Sequence, residues 1–228
     1  MTATRPTGLL LDFGSVISIS LFERISDVER ALGLPAGVIG WRGPLVPAAD
    51  PLWAAMQRDE LSERDYWAQR AAEIGALTGA AARWTMPDLL ARLRHDDPDV
   101  AVRPQALATI RAARTAGLKV GILSNELELF YGAAFMRRLS VLREIDCLVD
   151  ATHTGILKPD PRAYRQAADA MVLEPGRILF VDDQFRNIAG AHRFGMQTQF
   201  FDLRDPAGMY AAIAARLRID VPGVVDDL

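Results

Sequence analysis

The fold is decided by residues 9–17, which read Leu9-Leu10-Leu11-Asp12-Phe13-Gly14-Ser15-Val16-Ile17. Three successive aliphatic residues are too few for a helix and are typical of a strand buried on both faces, as in a parallel sheet. Gly14 and Ser15 end the apolar run, so Asp12 is predicted to emerge at the carboxyl edge of the sheet, where open α/β folds place their ligands. A carboxylate there can act as a nucleophile or a metal ligand. Taken alone, the stretch is also compatible with an ordinary turn.

Beyond this strand the sequence pattern changes twice. Residues 18–98 show only the helical spacing of apolar side chains, and they contain all four tryptophans of the chain. From Arg103 onward strands and helices alternate, which predicts right-handed crossovers and a parallel sheet covered on both sides. We therefore predict a Rossmann-like α/β sheet flanked by helices, formed by residues 1–17 and 99–228, with an α-helical cap inserted at 18–98. One helix of this core is predicted to run without a break from Leu127 to Leu139.

Three of the predicted strands end in polar residues. Asp12 follows the first strand, Ser124 and Asn125 follow the second, and Asp182 and Asp183 follow a run of Ile-Leu-Phe-Val. Because parallel strands bring their carboxyl ends to one edge, we expect these side chains to converge. Neighbouring carboxylates repel one another unless a cation lies among them, and carboxylates are ligands that Mg²⁺ prefers. The pattern predicts a magnesium site that includes Asp183, with Asp182 as a further ligand or as a helix cap.

Lys158 is informative because of its residue type. Of the 26 basic residues only Lys119 and Lys158 are lysines. A lysine directly before a proline indicates that a compact point charge is needed where a planar guanidinium does not serve, although a solvated loop lysine is the alternative. Ser124 can donate a hydrogen bond to an anionic oxygen and Asn125 can orient neighbouring groups, although both residue types are also common in turns.

The composition narrows the class of protein. Half of the residues are hydrophobic and 24% are charged, which is typical of a globular chain and not of a disordered one. The net charge of -3 and the lack of a Lys/Arg run argue against nucleic acid or an anionic membrane as partners. Cys147 is the single cysteine, which fits a reducing compartment, and no apolar run reaches the length of a signal peptide or membrane span. We expect a cytoplasmic protein with a small-molecule substrate.

The aromatic and basic residues of the predicted cap allow more than one interpretation. Trp41, Arg42, Trp53, Arg58 and Tyr66 are candidates to select a substrate, although each is also compatible with packing or a surface position. The tryptophans are equally compatible with the interface of a homodimer. These alternatives stay open at the level of the sequence.

Four segments, in this order, resemble motifs of the haloacid dehalogenase-like hydrolase superfamily, specifically its phosphatases with a helical cap inserted after the first strand. The segments are residues 9–16 around Asp12, Ile-Leu-Ser124-Asn125, Lys158-Pro159, and Phe-Val-Asp182-Asp183 through Asn187. The likeness covers nearly the whole chain. It implies a Mg²⁺-dependent phosphatase that cleaves a small phosphorylated metabolite, such as a sugar phosphate, through an aspartyl-phosphate intermediate.

The resemblance also implies a role for each residue. Asp12 would be the nucleophile, Ser124 and Asn125 would bind the substrate with Ser124 at a phosphoryl oxygen, and Lys158 would neutralise charge on Asp12 and the phosphate. These roles agree with the chemistry. Two anions must approach one another, so a cation, a lysine and a hydroxyl are needed to offset the repulsion.

The metal site that the resemblance implies consists of Asp12, Asp183 and the backbone carbonyl of Gly14, with Asp182 nearby. Gly14 also marks a departure, because the family usually has a second aspartate there that serves as general acid and base. General acid–base catalysis is worth typically about 10²–10⁴ in rate. The departure therefore predicts a substrate with a good leaving group, such as an anomeric sugar phosphate or an acyl phosphate, or a proton donor from the cap.

Two alternatives remain. A dehalogenase of the same superfamily also uses an aspartate nucleophile but needs no metal; its members carry tyrosine at the position of Gly14 and fewer acids in the fourth motif. The other alternative is a binding protein that has lost catalysis, for which Gly14 is the only support. Retention of Asp12, Lys158 and Asp183 argues against it, because clustered buried charges cost stability.

Overall fold

The centre of the molecule is a five-stranded parallel sheet in the order β3-β2-β1-β4-β5. The computed structural model describes residues 4–79 and 83–223. Residues 80–82 of the predicted cap, and residues 1–3 and 224–228 of the predicted core, therefore lie outside the described residues. The strands are β1 Gly8–Leu11, β2 Lys119–Ser124, β3 Cys147–Asp150, β4 Ile178–Asp182 and β5 Gln197–Phe200. All neighbouring strands pair in parallel. Their carboxyl ends therefore share one edge, with β1 in the middle.

The first strand is buried as its sequence predicts. Leu9, Leu10 and Leu11 are fully buried, and β1 pairs with β2 on one side and with β4 on the other. Leu9 and Leu11 join the hydrophobic cluster on one face of the sheet, whereas Leu10 joins the cluster on the opposite face. A strand with both faces covered carries apolar side chains at every position, and this explains the run of leucines.

Helices cover both faces of the sheet. The helices of the described residues are α1 Ile25–Ala31, α2 Pro51–Gln57, α3 Glu63–Thr78, α4 Met86–Arg92, α5 Pro104–Thr115, α6 Leu127–Tyr131, α7 Ala133–Met136, α8 Pro161–Met171, α9 Phe185–Phe194 and α10 Pro206–Leu217, and those from α5 onward belong to the core. Residues of α5 and α10 pack on one face and those of α8 and α9 on the other. This arrangement confirms the predicted Rossmann-like α/β architecture. In the described part of the chain, no helix combines the length and the apolar surface that crossing a bilayer requires.

The prediction of one continuous helix from Leu127 to Leu139 is wrong. The structure has α6 and α7 there, and Gly132 between them has a φ of +76°. A residue in this region of backbone space cannot continue a right-handed helix, and glycine adopts such a φ at little steric cost. The chain therefore breaks at Gly132.

Helices α1–α4 build a hydrophobic cluster of their own. Its largest members include Trp41, Trp53 and Tyr66, all of them buried. Two chain segments connect this cluster to the sheet. They pair with each other through an isolated antiparallel β-bridge between Ser18 and Val102. The separate cluster fits the predicted insertion, and the exact division into domains, like the homodimer, stays a prediction.

Candidate active site

Six polar side chains lie buried at the carboxyl edge of the sheet. They are Asp12, Ser124, Asn125, Lys158, Asp182 and Asp183. The strand order explains why these side chains lie close together. Because β1 lies between β2 and β4, Asp12 after β1 lies between the residues at the ends of β2 and β4. The structure thus brings together the six side chains that the sequence predicts to converge at this edge, and their catalytic roles stay predictions.

Lys158 forms two buried ion pairs. Its Nζ lies 2.8 Å from Oδ1 of Asp12 and 2.7 Å from Oδ2 of Asp182. Burial alone would lower the pKa of Lys158, but the two carboxylates outweigh it and raise the pKa above its ordinary value. The amine therefore stays charged, and it supplies the compact positive charge that its sequence context indicates.

Asn125 fixes the backbone of Lys158. Its Oδ1 accepts a hydrogen bond from the Lys158 N–H at 2.7 Å, and its Nδ2 donates to the Lys158 carbonyl at 3.3 Å. The same Nδ2 donates to Oε2 of Glu63, the first residue of α3, at 2.6 Å. Asn125 consequently positions Lys158 and connects the sheet edge to the cap, while its predicted contact with a substrate stays a prediction.

The carboxylate of Asp182 is fully engaged by protein groups. Besides the ion pair with Lys158, it accepts a hydrogen bond from the Gln184 N–H at 2.8 Å. Nδ2 of Asn187 donates to both of its oxygens, each at 3.1 Å. Asp182 therefore orients Lys158, and Asn187 is the partner that the sequence did not assign to it. The alternative of a helix cap is not observed, because α9 begins after Gln184 without a side-chain cap.

Asp183 is in the opposite situation. Its side chain is 5% exposed, and among the described residues it has neither a hydrogen bond nor an ion pair. Burial, Asp182 and Asp12 raise the pKa of Asp183 well above its ordinary value. Burial also raises the pKa of Asp12 to about 7, against the lowering effect of Lys158. Asp183 thus lacks the compensating positive charge that Lys158 gives to Asp182.

The three carboxylates fit a divalent cation. Ligand oxygens of Asp12, Asp182 and Asp183 lie within 4.8 Å of one another. With all three ionised, they would exceed the single ammonium of Lys158 by two negative charges, which a divalent cation would offset. Hard carboxylate oxygens are the donors that Mg²⁺ prefers. Asp12 and Asp183 are the residues that would hold the ion, since Asp182 is already engaged.

A cavity of about 130 Å³ extends from the carboxylates toward the cap. Asp12, Ser124 and Asp183 lie on its wall, together with Glu63 and Glu126. Glu126 is buried, its Oε1 lies 2.5 Å from Nε of Arg64, and burial raises its pKa. The sequence did not identify either glutamate, because nothing in a helix start or a turn distinguishes them from surface acids.

Of the candidates for substrate selection, one lines the cavity and others pack inside the cap. Trp53 lies on the wall of the cavity. Among the described residues, Trp41, Arg42, Arg58 and Tyr66 are not part of that wall. Trp41 and Tyr66 pack inside the cap cluster. The sequence could not separate these cases because buried tryptophans and tyrosines look alike in either setting.

Gly14 lies on the wall of the cavity next to Asp12. Its φ of -62° and ψ of 130° are accessible to any residue. A Cβ added to Gly14 would meet only Oδ2 of Asp12, at 3.7 Å, which is an ordinary van der Waals contact. Neither the backbone nor packing therefore requires a glycine here.

Comparison with known proteins identifies a family model that matches most of the chain. A family model described as haloacid dehalogenase-like hydrolase matches residues 21–195. The chain is 33% identical over 112 residues to (S)-2-haloacid dehalogenase 1 of Pseudomonas sp. strain CBS-3, covering 49% of this chain and 48% of that protein. It is 32% identical over 99 residues to Phosphatase MT3486 of Mycobacterium tuberculosis, covering 43% of this chain and 46% of that protein. The chain thus spans about half the length of these curated relatives.

Solved structures agree on the fold. The HAD-hydrolase YfnB of Bacillus subtilis, crystallised with magnesium, superposes with a TM-score of 0.65 over 87% of both chains at 14% sequence identity. At this identity the likeness concerns the architecture alone. It supports the same core of parallel strands flanked by helices.

Proposed function

Because the chain belongs to the haloacid dehalogenase-like hydrolase family, we propose that it is a Mg²⁺-dependent phosphatase acting on a small phosphate monoester through an aspartyl-phosphate at Asp12. The observation that carries the proposal is the buried carboxylate of Asp183, which has no partner among the described residues and lies beside Asp12 and Asp182. A carboxylate in this setting is costly unless a cation compensates it. The relative named as a phosphatase supports the same activity.

The proposed reaction has two steps. A carboxylate oxygen of Asp12 forms a bond to phosphorus while the bond from phosphorus to the leaving-group oxygen breaks, and the leaving group departs with the electron pair. Water then adds to phosphorus, the bond to Asp12 breaks, and inorganic phosphate is released. The proton that the water gives up balances the proton that the leaving group takes from solvent.

Protein groups at the sheet edge suit both steps. Lys158, held by Asp12 and Asp182, offsets charge as the phosphoryl group approaches, and the hydroxyl of Ser124 can donate to a phosphoryl oxygen. Mg²⁺ bound by Asp12 and Asp183 would act as a Lewis acid on the phosphoryl oxygens. Asn125 keeps Lys158 in place through its two hydrogen bonds.

A 2-haloacid dehalogenase is the second candidate. It is favoured by the relative of that name and by apolar residues on the cavity wall, among them Phe22, Trp53 and Phe130, which suit a small haloalkanoate. A metal-free dehalogenase would leave the Asp183 carboxylate buried without compensation, however, and this is why we place it second.

One experiment separates the candidates. Phosphate release from a panel of phosphate monoesters and halide release from 2-haloacids are measured with Mg²⁺ and with EDTA. We expect phosphate release that EDTA abolishes, that Mg²⁺ restores, and that Asp12→Asn eliminates. The exposed Asp169→Asn on α8 is the matched control and should retain activity.

Two results would overturn the proposal. Halide release that is insensitive to EDTA would assign the chain to the dehalogenases. Release of neither product from any compound would favour a binding protein that has kept the fold without catalysis.

A further inference from the structure

The part of the cavity that faces the cap has an aromatic wall. It is lined by Phe22, Trp53, Trp67, Leu90, Phe130 and Tyr131. The rings contact one another. The ring centroid of Phe22 lies 5.5 Å from that of Trp53 and 5.8 Å from that of Trp67. The ring centroids of Trp67 and Phe130 lie 6.2 Å apart. Four cap elements and α6 of the core thus contribute to one continuous apolar surface.

The basic side chains on this wall each make a contact within the protein. Nε of Arg24 lies 3.2 Å from an aspartate one turn away. Arg94 donates from Nη2 to the carbonyl of Tyr131 at 2.6 Å, and Nδ1 of His95 accepts a backbone N–H at 3.1 Å.

Three serine hydroxyls on the wall, those of Ser15, Ser18 and Ser20, make contacts within the protein as well. Oγ of Ser15 donates to Oγ of Ser20 at 3.1 Å, and Oγ of Ser20 also accepts the N–H of Phe22 at 3.2 Å. Oγ of Ser18 accepts the N–H of Ser15 at 3.3 Å. The polar side chains that could pair with a sugar's hydroxyls, such as Glu63 and Gln184, lie at the carboxylate end of the cavity. Hydroxyls placed against the aromatic residues would stay unpaired, and each unpaired hydroxyl costs binding.

A second, independent observation concerns the leaving group. Gly14 contributes no acid to protonate the departing oxygen. A phenolate is stable enough to depart without a proton donor, whereas an alkoxide depends on one. The same wall that disfavours a sugar suits a planar ring, because aromatic side chains stack or contact rings edge-on.

We infer that the substrate is a phosphate monoester whose leaving group carries an aromatic ring, seated against Trp67 and Phe130 with its phosphate at Asp12. This inference rests on the proposed phosphatase function and deepens it. It favours an aromatic phosphate over the sugar phosphate that the family resemblance implies. The two-step transfer through Asp12 is unchanged.

The test compares benzyl phosphate, ethyl phosphate and glucose 6-phosphate in the presence of Mg²⁺. Benzyl and ethyl alcohols have similar acidity, so this pair isolates the contribution of the ring from that of the leaving-group pKa. Burying a ring of this size is expected to raise kcat/KM for benzyl phosphate about 10- to 100-fold over ethyl phosphate. Glucose 6-phosphate should be the poorest of the three.

Matched variants test the wall itself. Phe130→Ala should lower the benzyl-to-ethyl ratio of kcat/KM by about fivefold, because part of the ring's contact surface is removed. Phe185→Ala is the control, since Phe185 is 62% exposed and stacks on Phe200 outside the cavity. The ratio distinguishes a specificity role from a structural one, because a general loss of stability lowers both substrates alike.

The failures of the two proposals are distinguishable. A benzyl-to-ethyl ratio near one, or preference for glucose 6-phosphate, would overturn the inference while the phosphatase function stands. Unchanged preference in Phe130→Ala would overturn the placement of the ring. Phosphate release from none of the three esters would overturn the phosphatase proposal, and the inference with it.

Discussion

Replacing Gly14 by aspartate should install a proton donor beside Asp12. The backbone of Gly14 has dihedral angles that aspartate adopts without strain. Its added Cβ would lie 3.7 Å from Oδ2 of Asp12 with no other heavy atom beyond its chain neighbours within 4 Å. The new carboxyl group would therefore extend from the cavity wall next to the nucleophile without displacing a neighbour.

The size of the effect depends on the leaving group. General acid–base help is worth about 10²–10⁴ where a proton must be transferred. For ethyl phosphate, whose alkoxide needs a proton, we expect Gly14→Asp to raise kcat by about 10²-fold, at the lower end of this range. For phenyl phosphate, whose phenolate leaves unaided, the expected gain is less than about tenfold.

The assay is steady-state phosphate release at saturating Mg²⁺, with circular dichroism and Tm as checks of folding. Gly14→Asn is the matched control, since it has nearly the same shape as aspartate but transfers no proton, and it should remain at the wild-type rate. Equal rates of Gly14→Asp and wild type on ethyl phosphate, in folded protein that still hydrolyses phenyl phosphate, would refute the reasoning.

Three further predictions concern buried charges. Lys158→Met should abolish phosphate release and lower the unfolding free energy, measured in urea, by about 3–5 kcal/mol, as expected for a broken buried ion pair. The control Lys119→Met removes an exposed pair with Asp146 and should cost less than about 1 kcal/mol. Equal losses of unfolding free energy in the two variants would contradict the burial argument. Asn125→Ala should lower kcat more than it raises KM, because Lys158 loses its backbone anchor, and steady-state kinetics would contradict this if KM alone changed. Burial raises the pKa of Asp50, but backbone N–H groups and Arg70 outweigh it and hold the pKa below its ordinary value; the ionised Asp50 therefore contributes its full stabilisation above about pH 3.9, and this contribution disappears as the pH falls through the lower folded pKa. Asp50→Asn should remove about 3 kcal/mol at pH 7 and reduce the dependence of the unfolding free energy on pH in the acid range. A pH dependence equal to that of the wild type would contradict this prediction.

Much of the core could be predicted because its signals are local. A run such as Leu9–Leu11 is long enough to identify a buried strand, and the rule that parallel strands end at one edge brings Asp12 and Asp183 together without any knowledge of distances. The break at Gly132 could not be predicted in the same way. A glycine inside a periodic apolar pattern is often tolerated in a helix, and its φ depends on contacts beyond the local sequence.

The different roles of Asp182 and Asp183 could not be predicted from the sequence either. Which carboxylate binds Lys158 depends on the side to which each points at the end of β4, and on Asn187 in the first turn of α9. The aromatic wall was hidden for a related reason. Phe22, Trp67 and Phe130 lie on separate elements, so each one alone indicates packing, and only their meeting makes a binding surface.

The most direct test of the central claim is calorimetric titration of Mg²⁺ into the purified protein. We predict one site in the wild type, binding weakened at least about tenfold in Asp183→Asn, as expected for a lost ligand, and unchanged binding in the Asp169→Asn control. Wild-type affinity in Asp183→Asn, or no binding of Mg²⁺ to the wild type, would contradict the claim that Asp12 and Asp183 share a divalent cation.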